Sequence, residues 1–360
     1  MKKISNLEYN TLIWFIIRAG FIGLSINNII IISKQDAWIS ALIALIIGFI
    51  PLSIFIYLKN YSDKLNILQL NRNLFKKTGT ILNIVIIIGV FLLVLIAFLN
   101  LTFFINSLIL FKTKNIYIAI CFIIPLIYGL YKGINAISKT SLILFYFAII
   151  SMITIFLGIY NNIEIENIKP ILQASNSSLI YGSILIVAYN ILPLAILLII
   201  PKNKIENYKT KNTIIFYFLA SLSLVIAAFI TVSVLGVDLS LLYDYPEFHI
   251  LKKVKVGDFA DRLENILAMQ WIVGLFFLII IGIYFITSFF ITTFNLKEKT
   301  NKRISTFICL IIMFISELSL NLNESVKTIF ENIMIPILYF CFFIIPLITV
   351  IKIKLKKLNC

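Results

Sequence analysis

IIRAGFIG, residues 16–23 (Ile16-Ile17-Arg18-Ala19-Gly20-Phe21-Ile22-Gly23), interrupts a long apolar run near the start of the chain. The run covers roughly 9–32, enough for a helix to cross a hydrocarbon core of about 30 Å. Arginine and glycine are poor choices there. A charge at membrane depth is costly, and each glycine weakens a helix by about 1 kcal/mol relative to alanine. Ser25, Asn27 and Asn28 follow. This combination reads as a helix broken near its middle, with polar groups beside the break.

The rest of the chain supports a membrane setting. Hydrophobic residues make up 61% and charged residues 13% of the 360, about half the charge of a soluble domain, and the mean hydropathy is +1.05. Ten apolar spans follow one another, at roughly 9–32, 37–58, 81–110, 116–134, 140–160, 179–200, 212–237, 265–295, 304–320 and 332–351. The expected fold is an all-α polytopic membrane protein, one transmembrane domain over residues 1–360. No cleavable signal peptide is expected, because the first run is too long and lacks a small-residue cleavage site.

With the N-terminus inside, the inner segments carry 21 Lys and Arg and the outer loops 9, while acidic residues divide 4 to 12 the other way. The positive-inside rule therefore places both termini in the cytoplasm. It also accounts for the net charge of +15 without nucleic acid. The two long linkers, 59–80 and the outer 238–264, lie five spans apart on opposite faces. That relation fits an inverted repeat of five plus five helices, about 9–160 and 179–351, with helices 1 and 6 discontinuous. Span 6 contains Gly182, Ser183, Tyr189, Asn190 and Pro193, and is interrupted much as span 1 is.

Arg18 has two readings. About nine residues at 1.5 Å each put it roughly 14 Å into the span, facing a polar cavity; alternatively the span starts later and Arg18 snorkels to the cytoplasmic surface. No acidic partner is evident, since Glu317 is the only carboxylate close to a span interior. Catalytic and cofactor chemistry have no visible basis. His249 is the only histidine and lies in an outer loop, and Cys121, Cys309, Cys341 and Cys360 have no metal or disulfide spacing. No enzyme, cofactor or metal is expected.

Two further stretches carry a family resemblance: KQDAWIS (34–40) and YPEFHILKKVKVGDFADRLENILAMQW (245–271). With Gly20 in a broken first helix, they resemble the spore germination permeases, the B subunits of bacterial endospore germinant receptors. Members typically show Gln-Asp-Ala-Trp after the first helix, here Gln35, Asp36 and Trp38. They also show Tyr-Pro, a short amphipathic segment, Gly-x-Phe-x-x-Arg-x-Glu and a Trp; here these are Tyr245, Pro246, Gly257, Phe259, Arg262, Glu264 and Trp271. Family members tend to have an uncharged residue where Arg18 stands. The resemblance implies the LeuT-like fold of the amino acid–polyamine–organocation transporters and nutrient sensing at the inner spore membrane. The implied partners are an A subunit, a C lipoprotein and a small nutrient, often an amino acid.

The expected binding site lies between spans 1, 3, 6 and 8, with the backbone around Gly20 unwound. Its wall residues are Ala19, Gly20, Phe21, Ile22, Gly23, Phe98, Ala188, Tyr189, Asn190, Gly282 and Tyr284. Asp36 is expected to cap span 2 and Trp38 to sit at the membrane interface; Asp258 is expected to cap a short lid helix. An amino acid transporter and a scaffold that only assembles its partners are the alternative functions.

Overall fold

A computed structural model describes residues 3–253, 263–294, 296, 298–319 and 333–358. The helices are α1 (Asn6–Ala19), α2 (Ile26–Ser33), α3 (Ala37–Ile47), α4 (Phe49–Tyr61), α5 (Ile67–Phe75), α6 (Lys77–Phe104) and α7 (Asn115–Lys132). They continue with α8 (Ile134–Ile159), α9 (Asn176–Ile186), α10 (Thr210–Leu241), α11 (Pro246–Lys253), α12 (Leu263–Phe294), α13 (Glu298–Ser319) and α14 (Ile345–Leu358). The protein is an all-α polytopic membrane protein.

Among the described residues, eight helical stretches are long and apolar enough to cross a membrane. The first, Asn6–Tyr61, has 56 residues, and at 1.5 Å per residue a straight helix of that length would span roughly twice a bilayer or more. It folds back instead. Lys34 has φ of 50°, and the Ser33 and Ser40 hydroxyls meet at 2.8 Å, which one continuous helix would keep about 10 Å apart. α13 is not among the eight; it begins with the charged stretch EKTNKR (298–303).

α1 starts with a capping box. The Glu8 amide donates to Ser5 Oγ (3.1 Å) and the Ser5 amide to the Glu8 carboxylate (2.8 Å), answering two donors that a helix start leaves open. Upstream of it, β1 (Ile4–Ser5) pairs in parallel with β2 (Ile205–Glu206). Lys202 also pairs with Asp63 at 3.1 Å. The N-terminus, the 59–80 linker and the 201–211 loop therefore share one face, as the charge count expects of inner segments.

On the opposite face, the Asp36 carboxylate accepts the amides of Leu172 (2.8 Å) and Ala174 (2.9 Å). Gln35 donates to the Pro170 carbonyl and to Gln173, both at 3.1 Å. This corrects the expected role of Asp36. It precedes α3 but makes no side-chain cap there; it holds the 170–174 loop. Trp38 packs edge-on to Phe229 of α10 at 6.0 Å. Asp36→Leu is expected to leave two loop amides unanswered, at a cost of about 1–3 kcal/mol each where buried. Limited proteolysis should then nick the protein at 170–174, where the parent resists.

The long 59–80 linker contains an unexpected helix, α5, started by a capping box of Asn66 and Gln69. Asn71 of α5 donates to Asn83 of α6 at 2.9 Å and accepts from Thr349 of α14 at 3.0 Å, so three helices are joined by buried side-chain hydrogen bonds. α1 lies at the centre of the bundle, against α8, α10 and α12, and most of its side chains are fully buried. α8 presents a stripe of exposed Ile143, Ile150, Ile153 and Leu157. Their helical spacing gives one apolar face, as expected of a helix against lipid.

Candidate functional site

α1 ends at Gly20, and a π-helical turn, Phe21–Ser25, leads into α2. α9 is interrupted in the same way, by a π-helical turn, Val187–Ile191, and then a 3-10 stretch, Leu192–Ile199, with Pro193 near its start. The two breaks touch. A Cβ on Gly20 would stand 2.4 Å from the Tyr189 carbonyl oxygen, inside any allowed contact. Gly23 has φ of +76°, and a Cβ there would lie 2.6 Å from both Asn100 Oδ1 and Tyr245 Cε1. Gly20 is therefore required by close approach, and Gly23 by both backbone conformation and space.

Breaking a helix leaves carbonyl groups without partners, and three side chains answer them here. Asn190 Nδ2 donates to the Ile17 carbonyl at 2.7 Å. Trp271 Nε1 donates to the Ala19 carbonyl at 3.1 Å. Ser25 Oγ donates toward the Gly20 carbonyl (3.0 Å) and Asn190 Oδ1 (2.7 Å). The break is thus a closed hydrogen-bonded joint. Tyr245 and Trp271 cover it, packed on Phe104 at 4.9 and 4.4 Å. The sequence marks Tyr245 and Trp271 as motif residues without indicating that both end at the first helix.

A cavity of about 120 Å³ opens beside this joint, between α1, α8, α10, α11 and α12. Most of its wall is apolar. Arg18, Ser223, Thr231, Glu247 and Gln270 are the polar lining residues. Arg18 is half-buried, donates from Nη1 to Ser223 Oγ at 2.5 Å and lies 5.4 Å over the Trp14 ring. Arg18 lines this largely apolar cavity with Ser223 Oγ as its partner, and so matches the cavity-facing reading in position but not in the polarity of the cavity. Gln270 is already engaged, donating to the Ala148 carbonyl (2.9 Å) and to Ser151 (2.6 Å).

Glu247 belongs by sequence to the 238–264 linker, where a carboxylate is expected to be solvated. It is 5% exposed, and among the described residues neither of its carboxylate oxygens has a hydrogen-bond partner. Nothing in YPEF distinguishes this position from a solvated one, because its burial comes from α11 lying against α10 and α12. Burial pushes its carboxyl up to about 8, so the fold favours the protonated form. The folded value lies above the ordinary 4.5. The contribution to stability is therefore fully present below about pH 4.5 and is lost as the pH rises through about 8. The melting temperature of the purified protein should fall between pH 6 and 9. Glu247→Gln, which stays neutral, should flatten that decline.

The expected wall residues divide between the joint, the cavity and the core. Ala19, Gly20, Gly23, Tyr189 and Asn190 form the joint, and Ala188 is fully buried beside it. Phe21 lines the cavity. Phe98 is fully buried on α6. A Cβ on Gly282 would fall 2.3 Å from Val94 of α6, and Tyr284 packs against the core; none of these three lines the cavity. The Ile22 side chain, Gly257, Asp258, Phe259, Arg262 and the Glu264 side chain lie outside the described residues.

Lys59, assigned by charge count to an inner loop, is buried. It donates to the carbonyls of Leu197 (3.4 Å) and Ile200 (2.5 Å) and lies 4.4 Å over the Tyr9 ring. A cation there answers the open carbonyls at the end of the 3-10 stretch.

Residues 3–325 match the family model described as spore germination protein. Two curated relatives come from Bacillus subtilis (strain 168). Spore germination protein KB is 24% identical over 213 residues, 56% of each chain, so the match spans little more than half of that relative's length. The putative spore germination protein YfkT is 26% identical over 278 residues, 71% of this chain and 72% of the relative.

Proposed function

The chain belongs to the spore germination protein family, and from that premise we propose that it is the nutrient-sensing membrane subunit of a germination receptor. It binds a small nutrient, an amino acid by preference, in the cavity beside the break in its first helix. The observation that carries this reading is the cavity itself. It adjoins the meeting point of two interrupted helices, where transporter-like folds place their ligands, and it contains a charged residue at membrane depth, which marks function by default.

The paired breaks support a five-plus-five inverted repeat of ten spans, since each falls in the first span of its half. The grouping of the charge-rich loops on one face supports cytoplasmic termini. In this reading the protein sits in the inner spore membrane, and an A subunit and a C lipoprotein complete the receptor. The nutrient triggers germination only if it binds one conformation better than another. α11, which brings Glu247 to the cavity from the outer side, is the element whose position ligand occupancy would bias.

An amino acid transporter is the second reading, favoured by the same cavity. Spores lacking the protein, tested across a panel of single nutrients, decide between them. Loss of germination to one nutrient, with germination to the others retained, supports the receptor. Normal germination to every nutrient, with uptake of labelled amino acid by proteoliposomes, supports the transporter.

A further inference from the structure

We propose that Arg18 and Glu247 are the two poles of one ligand subsite, which takes a small zwitterion: its anionic group at Arg18, its ammonium group at Glu247 and its apolar side chain against the surrounding wall. The inference rests on the nutrient-binding reading and adds which chemistry the cavity selects.

Three observations carry it. Both residues line the same cavity, yet they form no ion pair with each other or with any described residue. A guanidinium has five N–H donors, and the Nη1 bond to Ser223 is the hydrogen bond Arg18 makes with described residues. Glu247 is more than nine-tenths buried, with both oxygens unanswered among the described residues, a costly arrangement unless a partner arrives. Among the described residues, the remaining walls add no further charge. α8 and α12 contribute apolar side chains and the engaged Gln270, and α10 contributes hydroxyls and apolar groups.

Size narrows the ligand further. About 120 Å³ is close to the roughly 150 Å³ of a cavity that holds benzene, which suits a molecule of about six to eight heavy atoms. Small apolar amino acids fall in that range, whereas nucleosides and peptides do not. Ligand entry would supply Glu247 with the cation it lacks and Arg18 with a bidentate acceptor. The Glu247 proton would leave to solvent as the ammonium group docks.

The test uses the full chain in lipid nanodiscs, titrated calorimetrically with L-alanine, L-valine and L-proline, then with isovalerate and valinamide. Isovalerate lacks the amine of valine, and valinamide lacks its carboxylate. Wild type should bind L-valine at least about tenfold more tightly than either analogue, the size expected for one charged hydrogen bond. Arg18→Gln should weaken L-valine and isovalerate by about tenfold or more and leave valinamide unchanged, with partial recovery in Arg18→Lys. Glu247→Gln should weaken L-valine and valinamide and leave isovalerate unchanged. A merely structural role would weaken all three ligands alike and would overturn the proposal. If a variant fails to fold, the wild-type series decides: equal affinity for L-valine and its analogues overturns the proposal. Amino acid binding that ignores both charges defeats the two-pole subsite alone, whereas no binding of any amino acid by wild type defeats it together with the nutrient-binding reading.

Discussion

Gly20→Leu is expected to abolish nutrient-triggered germination and to reduce the amount of folded protein in spore membranes. The first atom of any side chain at this position would lie 2.4 Å from the Tyr189 carbonyl oxygen. That oxygen is backbone, so no rotamer change relieves the clash, and the two helix breaks must separate. Overpacking a well-fitted core costs about 1–3 kcal/mol, and displacing backbone belongs at or above the top of that range. Separation would also pull Asn190 from the Ile17 carbonyl. Immunoblotting of spore membranes and germination assays read the two consequences. Gly274→Ala is the folding control, because its methyl group would meet neighbours at 3.5 Å, an ordinary contact; it should accumulate like the parent.

Asn190→Leu should be the second severe change. Asn190 is fully buried and serves both breaks at once, donating to the Ile17 carbonyl and accepting from Ser25. Leucine is similar in size but answers neither, so the Ile17 carbonyl loses its side-chain donor in a dry interior, while the Ser25 hydroxyl keeps only the Gly20 carbonyl. The lost carbonyl partner costs about 1–3 kcal/mol, a sizeable share of the net stability of many proteins. A large fall in melting temperature in detergent is the expected result. A melting temperature equal to the parent's would show that the joint is not held by this residue.

Much of this architecture is legible in the sequence. Apolar run length fixes the helical class, because a bilayer admits few alternatives. Gly20, Gly23 and Pro193 mark where two helices give way, because glycine and proline act on the backbone locally. What the sequence does not reveal depends on distant partners. Asp36 stands where a cap is expected, but its acceptors are used by amides well over a hundred residues away. Trp271 answers Ala19 across 252 positions. Glu247 and Lys59 look like loop charges until the packing of α11 and of the 3-10 stretch buries them. Of the wall residues picked by depth alone, Phe98 stands two residues from Asn100, which meets Gly23, whereas Gly282 and Tyr284 lie roughly 12–15 Å along α12 from Gly274, which meets Ala19. Depth does not fix which face of a helix is turned toward the cavity, and that face follows from how α6 and α12 pack together.

The central claim is that the nutrient lies beside the helix joint, between α1, α8, α10 and α12. Photo-crosslinking tests it most directly, with a diazirine-bearing apolar amino acid applied to the full chain in nanodiscs and the labelled peptides mapped by mass spectrometry. The account predicts labels on residues 15–21 and 223–231 that unlabelled nutrient suppresses. Suppressible labels on Phe98, Gly282 or Tyr284, with residues 223–231 unlabelled, would contradict it.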